Sequence, residues 1–208
     1  MKRDKGFFAG LVIVTAIVLL AGCDQRQGDA KVSSAADFPA MMEQARDGDA
    51  LSAYNVAVRY LTGDGVARNE RAGFEWMSRA ACGGEPNAQY NLGVMYASGD
   101  SVPQSVTNAV KWYRLAAEKG IVEAQFNLAL ILYQGKGVRR NRDEAAKWFL
   151  RAAEAGNGWA QYFAGDCCYV GFGRKKDREA AISWYRKSAA QGIEAAKRRL
   201  RDLGEKEN

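Results

Sequence analysis

Histidine is absent from this chain of 208 residues, and only three prolines occur in it. Without an imidazole, the chain has no Ser-His-Asp or Cys-His nucleophile system, no histidine metal ligand and no histidine general base. Residues 24–208 also contain no S-x-x-K motif and no clustered carboxylate pair outside capping and surface positions. The sequence therefore predicts a protein that is not an enzyme and that uses no cofactor or metal.

Long apolar runs are also scarce, because the run at residues 7–20 covers only 14 positions. A stable membrane-spanning helix needs roughly 20 apolar residues. Lys2, Arg3 and Lys5 precede the run and small residues follow it, which is the pattern of a cleaved signal peptide over residues 1–23. The chain is therefore expected to be exported rather than to keep a transmembrane helix.

The signal segment ends in Leu20-Ala21-Gly22-Cys23, which resembles the lipobox of bacterial lipoproteins. This resemblance implies cleavage before Cys23 and acylation of that cysteine, which would anchor the protein to a membrane facing the periplasm. Asp24 resembles the signal that retains enterobacterial lipoproteins in the inner membrane rather than the outer membrane. A secretory signal that ends in these four residues by chance is the alternative. Polar residues 24–32 are interpreted as a tether.

A repeat of 36 residues without insertions or deletions dominates the rest of the chain. It is visible in one tryptophan column and two glycine columns: Trp76, Trp112, Trp148 and Trp184; Gly63, Gly99, Gly135 and Gly171; Gly84, Gly120, Gly156 and Gly192. Residues suited to begin a helix keep the same spacing, at Asn69, Ser105, Asn141 and Asp177. The spacing predicts that each repeat is a pair of antiparallel helices, with a capping box between Asn141 and Glu144.

The segments AQYNLGVMYASGD with AVKWYRLAAEKG, and AQFNLALILYQGKGV with EAAKWFLRAAEAG, resemble the Sel1-like repeat, a relative of the tetratricopeptide repeat. The resemblance covers residues 50–192. It implies an all-α, right-handed α-solenoid of four 36-residue helix-hairpin repeats, used mainly for protein contacts. Repeat 4 departs from the pattern at Cys168 and at Arg174, so its first hairpin turn is expected to be altered.

A solenoid needs covered ends. Carried backward, the period predicts an N-terminal capping helix within residues 33–48, with Ser33 at its start. Carried forward, it predicts a C-terminal capping helix over residues 193–203, in which Arg198 and Arg199 wet the outer face. Residues 204–208 are expected to be frayed, and the solenoid as a whole to span residues 33–203.

The resemblance implies that the first helix of each repeat lines the concave groove. Side chains there that the fold does not require are expected to determine which partner binds. The predicted partner-binding residues are Tyr90, Phe126, Leu130, Tyr133, Gln134, Tyr162, Asp166 and Tyr169. Polar aromatic side chains are enriched in binding energy at protein interfaces. The tryptophan column, in contrast, is interpreted as packing between hairpins.

Charge is uneven, because residues 121–208 hold 17 Lys or Arg against 11 Asp or Glu. A basic edge is predicted at equivalent turns of repeats 3 and 4, formed by Arg139, Arg140, Arg142, Arg174, Lys175 and Lys176. It is either a solvated surface or a site for an acidic partner or anionic headgroups. Of the remaining cysteines, Cys82, Cys167 and Cys168 are predicted to be small core thiols, with a vicinal Cys167–Cys168 bond as the alternative.

These patterns together predict a lipid-anchored periplasmic module that binds a protein, and neither nucleic acid nor a small-molecule substrate. Some small lipoproteins with Sel1-like repeats are immunity proteins against phospholipase-type toxins, so a secreted lipase effector is one expected partner. A scaffold for a cell-envelope complex is the alternative. An enzyme acting on peptidoglycan or β-lactams, as claimed for cysteine-rich relatives, is the remote alternative.

Overall fold

A computed structural model describes residues 37–206, within which the chain forms ten α-helices and no β-strand. The helices are α1 Phe38–Arg46, α2 Ala50–Thr62, α3 Glu70–Cys82, α4 Pro86–Ser98, α5 Val106–Glu118, α6 Val122–Gln134, α7 Arg142–Glu154, α8 Gly158–Val170, α9 Arg178–Ala190 and α10 Glu194–Asp202. Over these residues no helix is both long enough and apolar enough to cross a bilayer. The predicted lipidation site Cys23, with Asp24 and Ser33, lies outside the described residues.

The described residues divide into two compact units, 37–104 with helices α1–α4 and 105–206 with helices α5–α10. Helices α2 to α9 all have 13 residues and follow one another along the chain, and α2 with α3, α6 with α7 and α8 with α9 form helical hairpins inside one unit. The predicted all-α repeat fold is therefore confirmed.

The ends of the helices follow from the repeated sequence columns. Gly63 and its three equivalents adopt left-handed backbone angles after the first helix, with φ of 69° to 87° at Gly135 and Gly171. A side chain is strained at such angles, so glycine is the residue that ends these helices. The side chain of Asn69 accepts a hydrogen bond from Ala72 N at 3.0 Å, and Ser105, Asn141 and Asp177 cap the other second helices in the same way.

The first hairpin turn of repeat 4 keeps the course of the earlier turns. Asp177 N donates to the carbonyl of Cys168 at 2.9 Å, as Asn141 N does to Leu132 at 2.9 Å. The expectation of an altered turn was therefore wrong for the backbone. The capping box also differs from the prediction, because Asn141 N is engaged by Leu132 and the Glu144 carboxylate accepts from Asn141 Nδ2 instead.

A helix precedes the first repeat, as predicted, within the described residues. It begins at Phe38 with Asp37 at its N-cap, and Pro39 occupies the first turn, where its missing N–H costs no hydrogen bond. The ring of Phe38 meets Tyr60 edge to face at 5.6 Å, and the guanidinium of Arg59 lies over it at 5.9 Å. Helix α1 therefore covers one side of α2.

The helix after the last repeat, α10, buries Ala196 and Leu200 against α9. Arg198 is exposed as predicted, whereas Arg199 is half-buried and pairs with Asp166. Beyond the helix, Glu205 is held by ion pairs to Arg178 and Arg186 rather than frayed at that position.

The residue after each tryptophan forms a repeated column of large, deeply buried side chains, whereas most of the tryptophans are less buried. Met77, Tyr113, Phe149 and Tyr185 are all buried. Trp76, Trp112 and Trp184 are only half-buried, and Trp148 alone of that column is buried. Each tryptophan ring instead carries a cation on one face, for example Arg151 at 4.7 Å from the ring of Trp148. Trp148 is buried and Trp184 packs against buried alanines of α7 and α8, in agreement with the predicted packing role, although the residue after each tryptophan is the more deeply buried.

Successive repeats are joined by a glutamine that the sequence columns did not single out. Gln125 Nε2 donates to the carbonyl of Ala117 at 3.1 Å, and Gln161 Nε2 to that of Ala153 at 3.2 Å. Gln89 makes the equivalent bond to Ala81. Each bond links the second helix of one repeat to the first helix of the next.

The cysteines divide between surface and core. Cys167 and Cys168 are buried free thiols, in agreement with the prediction. Cys82 is exposed, so its prediction as a core residue was wrong. It is the last residue of α3, where the chain turns toward Gly83 and Gly84 and leaves the helix surface uncovered.

Candidate functional site

The eight predicted partner-binding residues lie in different environments. Tyr90 belongs to helix α4 of unit 37–104 and is half-buried. The other seven belong to helices α6 and α8 of unit 105–206. Leu130 is buried and Gln134 is half-buried at the end of α6. Only Tyr169 of the eight is exposed.

An aromatic cluster holds the predicted residues of α6. The rings of Phe149 and Phe163 stack at a centroid distance of 4.7 Å and an interplanar angle of 9°. Tyr133 packs on both rings, at 6.0 and 5.9 Å, and Phe126 lies at similar distances from them. Burial raises the pKa of Tyr133. Phe126 and Tyr133 are therefore half-buried and held by the neighbouring rings, and neither is as exposed as Tyr169.

Asp166, predicted as a contact residue, is instead the centre of an internal hydrogen-bond network. Tyr185 Oη donates to Asp166 Oδ1 at 2.7 Å, and Arg199 Nε lies 3.3 Å from the same oxygen. The Asp166 side chain retains only 14% of its exposure. Burial raises the pKa of its carboxyl, against the lowering effect of Tyr185 and Arg199. Burial and the neighbouring charge of Asp166 also raise the pKa of Tyr162. Through Tyr185 and Arg199, the network ties α8, α9 and α10 together.

Tyr169 and Val170 form the exposed apolar surface of unit 105–206. Their exposures are 44% and 43%, and they are consecutive residues at the end of α8. Tyr133 holds the position equivalent to Tyr169 in repeat 3 and is covered there by Phe172, at a centroid distance of 6.2 Å. The same sequence column thus supplies a packed ring in one repeat and a presented ring in the next.

The basic edge is largely as predicted, with one correction. Arg139, Arg140, Arg174, Lys175 and Lys176 are exposed, and none of them forms an ion pair within residues 37–206. Arg142 is different, because its guanidinium lies over the rings of Phe172 and Tyr133 at 4.7 and 5.5 Å. It packs against aromatic rings and does not belong to the solvated edge.

A pocket that the sequence analysis missed opens beside this edge. It has a volume of about 320 Å³ and lies between α7, α8 and the turn that follows α8. Its lining is mostly apolar, with two cationic residues: Ala146, Leu150, Ala164, Cys167, Phe172 and Gly173, and the cations Lys147 and Arg174. The signal that predicts it is side-chain size, since Leu128 and Ile131 of repeat 3 become Ala164 and Cys167 in repeat 4.

Helix α7 offers one further polar group. Glu144 forms an ion pair with Arg114 and accepts a hydrogen bond from Trp148 Nε1 at 3.4 Å. The hydrogen bond from Arg114 lowers the pKa of Glu144. Because its carboxylate is already engaged, Glu144 links α5 to α7 and is not available as a general base.

Comparisons with known proteins agree with the fold. The chain matches the Sel1 repeat over four segments, residues 50–85, 86–121, 122–157 and 160–193. No curated protein matches the chain.

Two solved structures are similar. One is c5321, described as a protective antigen of uropathogenic Escherichia coli with an SLR fold, at 34% identity and a TM-score of 0.72; the match covers 82% of this chain and 38% of that one. The other is a Sel1 repeat protein from Oxalobacter formigenes, at 28% identity and a TM-score of 0.72, covering 82% and 49%. This chain thus spans less than half the length of either structure.

The immunity protein Pa5087 from Pseudomonas aeruginosa also matches, at 21% identity over 76% of this chain and 59% of that one. Its TM-score of 0.42 is too low to bear on function. The four repeat matches and the 34% identity to a solved relative show that this chain belongs to the Sel1 repeat family, whose repeats are protein-interaction modules.

Proposed function

We propose that this protein is a non-enzymatic module that binds another protein while a lipid on Cys23 anchors it to the inner membrane, facing the periplasm. The observation that carries the binding proposal is the pair Tyr169–Val170, exposed at the end of α8. Three exposed cations, Arg174, Lys175 and Lys176, follow it in the next turn. Aromatic residues are enriched at the centre of protein interfaces, and polar and charged residues form the rim around that centre.

The charge of the unit supports an acidic partner. Residues 105–208 contain 20 Lys or Arg against 12 Asp or Glu. A surface of one sign steers an oppositely charged protein and raises its association rate. Within this proposal the partner is a secreted phospholipase-type toxin, because lipoproteins with Sel1-like repeats include immunity proteins against such toxins.

Binding at Tyr169–Val170 is tested by replacing both residues, as Tyr169→Ala with Val170→Ser. Because the two side chains are exposed, the melting temperature should stay unchanged. Affinity for the partner identified by crosslinking in the cell envelope should fall by about 2 kcal/mol or more. Leu51→Ser is the matched control, since Leu51 is another exposed large apolar residue and lies in the other unit. Equal affinities of both variants would overturn the proposed surface.

The anchor is tested by Cys23→Ser and membrane fractionation. The serine variant should lose its membrane association while the circular dichroism of the folded part stays the same, because the lipid would be attached outside the repeats. A variant that still sediments with membranes after a high-salt wash would contradict lipidation at Cys23.

The immunity function is tested first by whether a secreted phospholipase gene lies beside this gene, and then by producing that phospholipase in the periplasm of cells with and without the protein. Protection should require Tyr169 and Val170. If the protein captures an envelope protein through this surface but gives no protection, the scaffold for a cell-envelope complex becomes the better description.

A further inference from the structure

Repeat 4 departs from the other three repeats at several positions, among them Asp166 and Cys168, and four further departures line the pocket of about 320 Å³. Two departures replace larger side chains by smaller ones: Ala164 stands where Val56, Leu92 and Leu128 stand, and Cys167 where Arg59, Met95 and Ile131 stand. The other two form its edge: Phe172 replaces Asp64, Asp100 and Lys136, and Arg174 replaces Val66, Val102 and Val138. Four changes at one place indicate a built feature rather than a packing defect.

The two small residues explain why the space exists. Ala164 and Cys167 are both buried in α8, so no backbone difference is needed to open the pocket. A smaller buried side chain leaves a cavity where the surrounding helices do not collapse onto it. Burial raises the pKa of the Cys167 thiol to about 12, so at neutral pH the thiol is uncharged and belongs to the apolar wall.

The edge of the pocket is held in place by its own contacts. Gly173 N donates to Asp143 Oδ1 at 2.9 Å, which fixes the turn after α8 onto the start of α7. Arg142 lies over the ring of Phe172, with its guanidinium 4.7 Å from the ring centroid. A site whose walls are already ordered loses little conformational entropy when it binds.

The two charged residues that line the pocket are both cations, and the one carboxylate named at its edge, that of Asp143, is engaged by Gly173 N. Lys147 and Arg174 line it, and Lys175 and Lys176 continue the chain beyond it. None of the four forms an ion pair within the described part of the chain. An apolar pocket with cations at its edge is complementary to an apolar side chain flanked by carboxylates.

We propose that this pocket receives one bulky apolar side chain from an acidic segment of the partner protein, and that Lys147 and Arg174 bind carboxylates on either side of it. The inference rests on the proposed protein-binding function and adds which side chain of the partner enters the pocket and which charges lie beside it. The volume lies at the lower end of the roughly 300 to 1,000 Å³ found for ligand pockets, which suits one side chain better than a larger molecule.

The probe is a fluorescein-labelled peptide containing Glu-Asp-Phe-Asp-Glu, measured by fluorescence anisotropy. The full chain is held in phosphatidylcholine nanodiscs, and empty nanodiscs give the background. Binding should saturate, and the peptide with Ala in place of Phe should bind about tenfold more weakly. Absence of saturable binding, or equal binding of the two peptides, overturns the proposal.

The pocket itself is tested by refilling it with the residues of repeat 3, as Ala164→Leu with Cys167→Ile. The melting temperature should hold or rise because a cavity is filled, whereas peptide affinity should fall by about tenfold or more. Unchanged affinity in this variant would reject the pocket as the site.

A second variant removes one charge without touching the core. Arg174→Val restores the residue of the other three repeats and should weaken peptide binding by about threefold or more. Lys175→Val is its control, since it removes the same charge from the neighbouring exposed residue outside the pocket lining. If the refilled variant melts at a lower temperature, the comparison of Arg174→Val with Lys175→Val decides whether the peptide binds at the pocket. If both charge variants weaken peptide binding equally, the peptide is held by the overall positive charge of this surface and not by Arg174 at the pocket.

These outcomes distinguish a failure of the pocket proposal from a failure of the proposed protein-binding function. If the peptide fails but the Tyr169 and Val170 variant still loses its crosslinked partner, only the pocket is wrong. If neither measurement responds, the protein-binding surface is wrong as well.

Discussion

Repeats 3 and 4 share one backbone plan but use it for different interiors. In both, the first helix ends at a left-handed glycine and the second begins at a side-chain cap, at Gly135 and Asn141 or Gly171 and Asp177. Inside this common frame, Leu130 of repeat 3 becomes Asp166 of repeat 4. The plan fixes where helices start and stop, and leaves the interior free to change.

The change from Leu130 to Asp166 is tolerated because partners change with it. Phe149 of repeat 3 becomes Tyr185 of repeat 4, whose hydroxyl donates to Asp166. Arg199, from a helix that is not part of any repeat, completes the network. A buried carboxylate without such partners would be strongly destabilising. Repeat 4 therefore replaces apolar packing by a satisfied polar group at one place and by an open pocket at another.

The largest expected effect comes from the apolar interior of repeat 3. Phe149→Ala should reduce the free energy of unfolding by about 3 to 5 kcal/mol, because the ring is fully buried and stacks on Phe163. Trp184→Ala should cost less, since that ring is half-buried. Urea unfolding followed by circular dichroism measures both. A larger loss for Trp184→Ala would show that the tryptophan column is the true core.

A smaller effect is expected from the polar interior of repeat 4. Tyr185→Phe should lower the free energy of unfolding by about 1 to 3 kcal/mol, because it removes a hydrogen bond to a buried carboxylate. Adding Asp166→Leu rebuilds the pair of repeat 3 and should recover part of this loss. A double-mutant cycle measures the coupling. Additive losses would mean that Asp166 and Tyr185 do not depend on each other.

The smallest effects are in the pH dependence, which should have opposite signs in the two repeats. The pKa of Asp166 is raised above 3.8 in the folded protein, so its contribution to stability is complete below 3.8 and is lost as the pH rises through the folded value. The pKa of Glu144 is lowered below 4.5, so its contribution is present above 4.5 and is lost as the pH falls through the folded value.

Denaturant unfolding of wild type, Asp166→Asn and Glu144→Gln between pH 3 and pH 6 checks both signs. Relative to its variant, the wild-type Asp166 should become less favourable as the pH rises, and the wild-type Glu144 more favourable. If the free energies of unfolding of all three proteins change in parallel with pH, the two carboxyl groups do not differ in the way proposed.

The sequence predicted the boundaries of helices far better than the depth of side chains. Asn69 and Gly63 carry their structural reason in their own chemistry, as a cap and as a left-handed residue. A column of identical residues reveals only that a position repeats, and a large ring such as Trp76 is conspicuous whether it is inside or half outside. The buried column beside it mixes Met77 with tyrosine and phenylalanine, and so was harder to recognise.

The site was predicted only in part, for a related reason. Tyr169 could be found because an aromatic residue with a polar tip is an interface residue by type. The burial of Asp166 could not be predicted from the sequence. Its partner Arg199 lies in α10, for which no repeat column predicts a contact. The pocket could have been predicted, because the aligned repeats show the decrease in side-chain size from Ile131 to Cys167.

The glutamine bonds between repeats have a consequence for how such a chain grows. Gln89, Gln125 and Gln161 each donate to a main-chain carbonyl, and every residue type supplies that oxygen. The joint therefore places no demand on the side chain it meets, and a duplicated repeat carries its own half of the joint with it. Lengthening by gene duplication requires no compensating mutation at this bond, so the number of repeats can change without redesign of this contact.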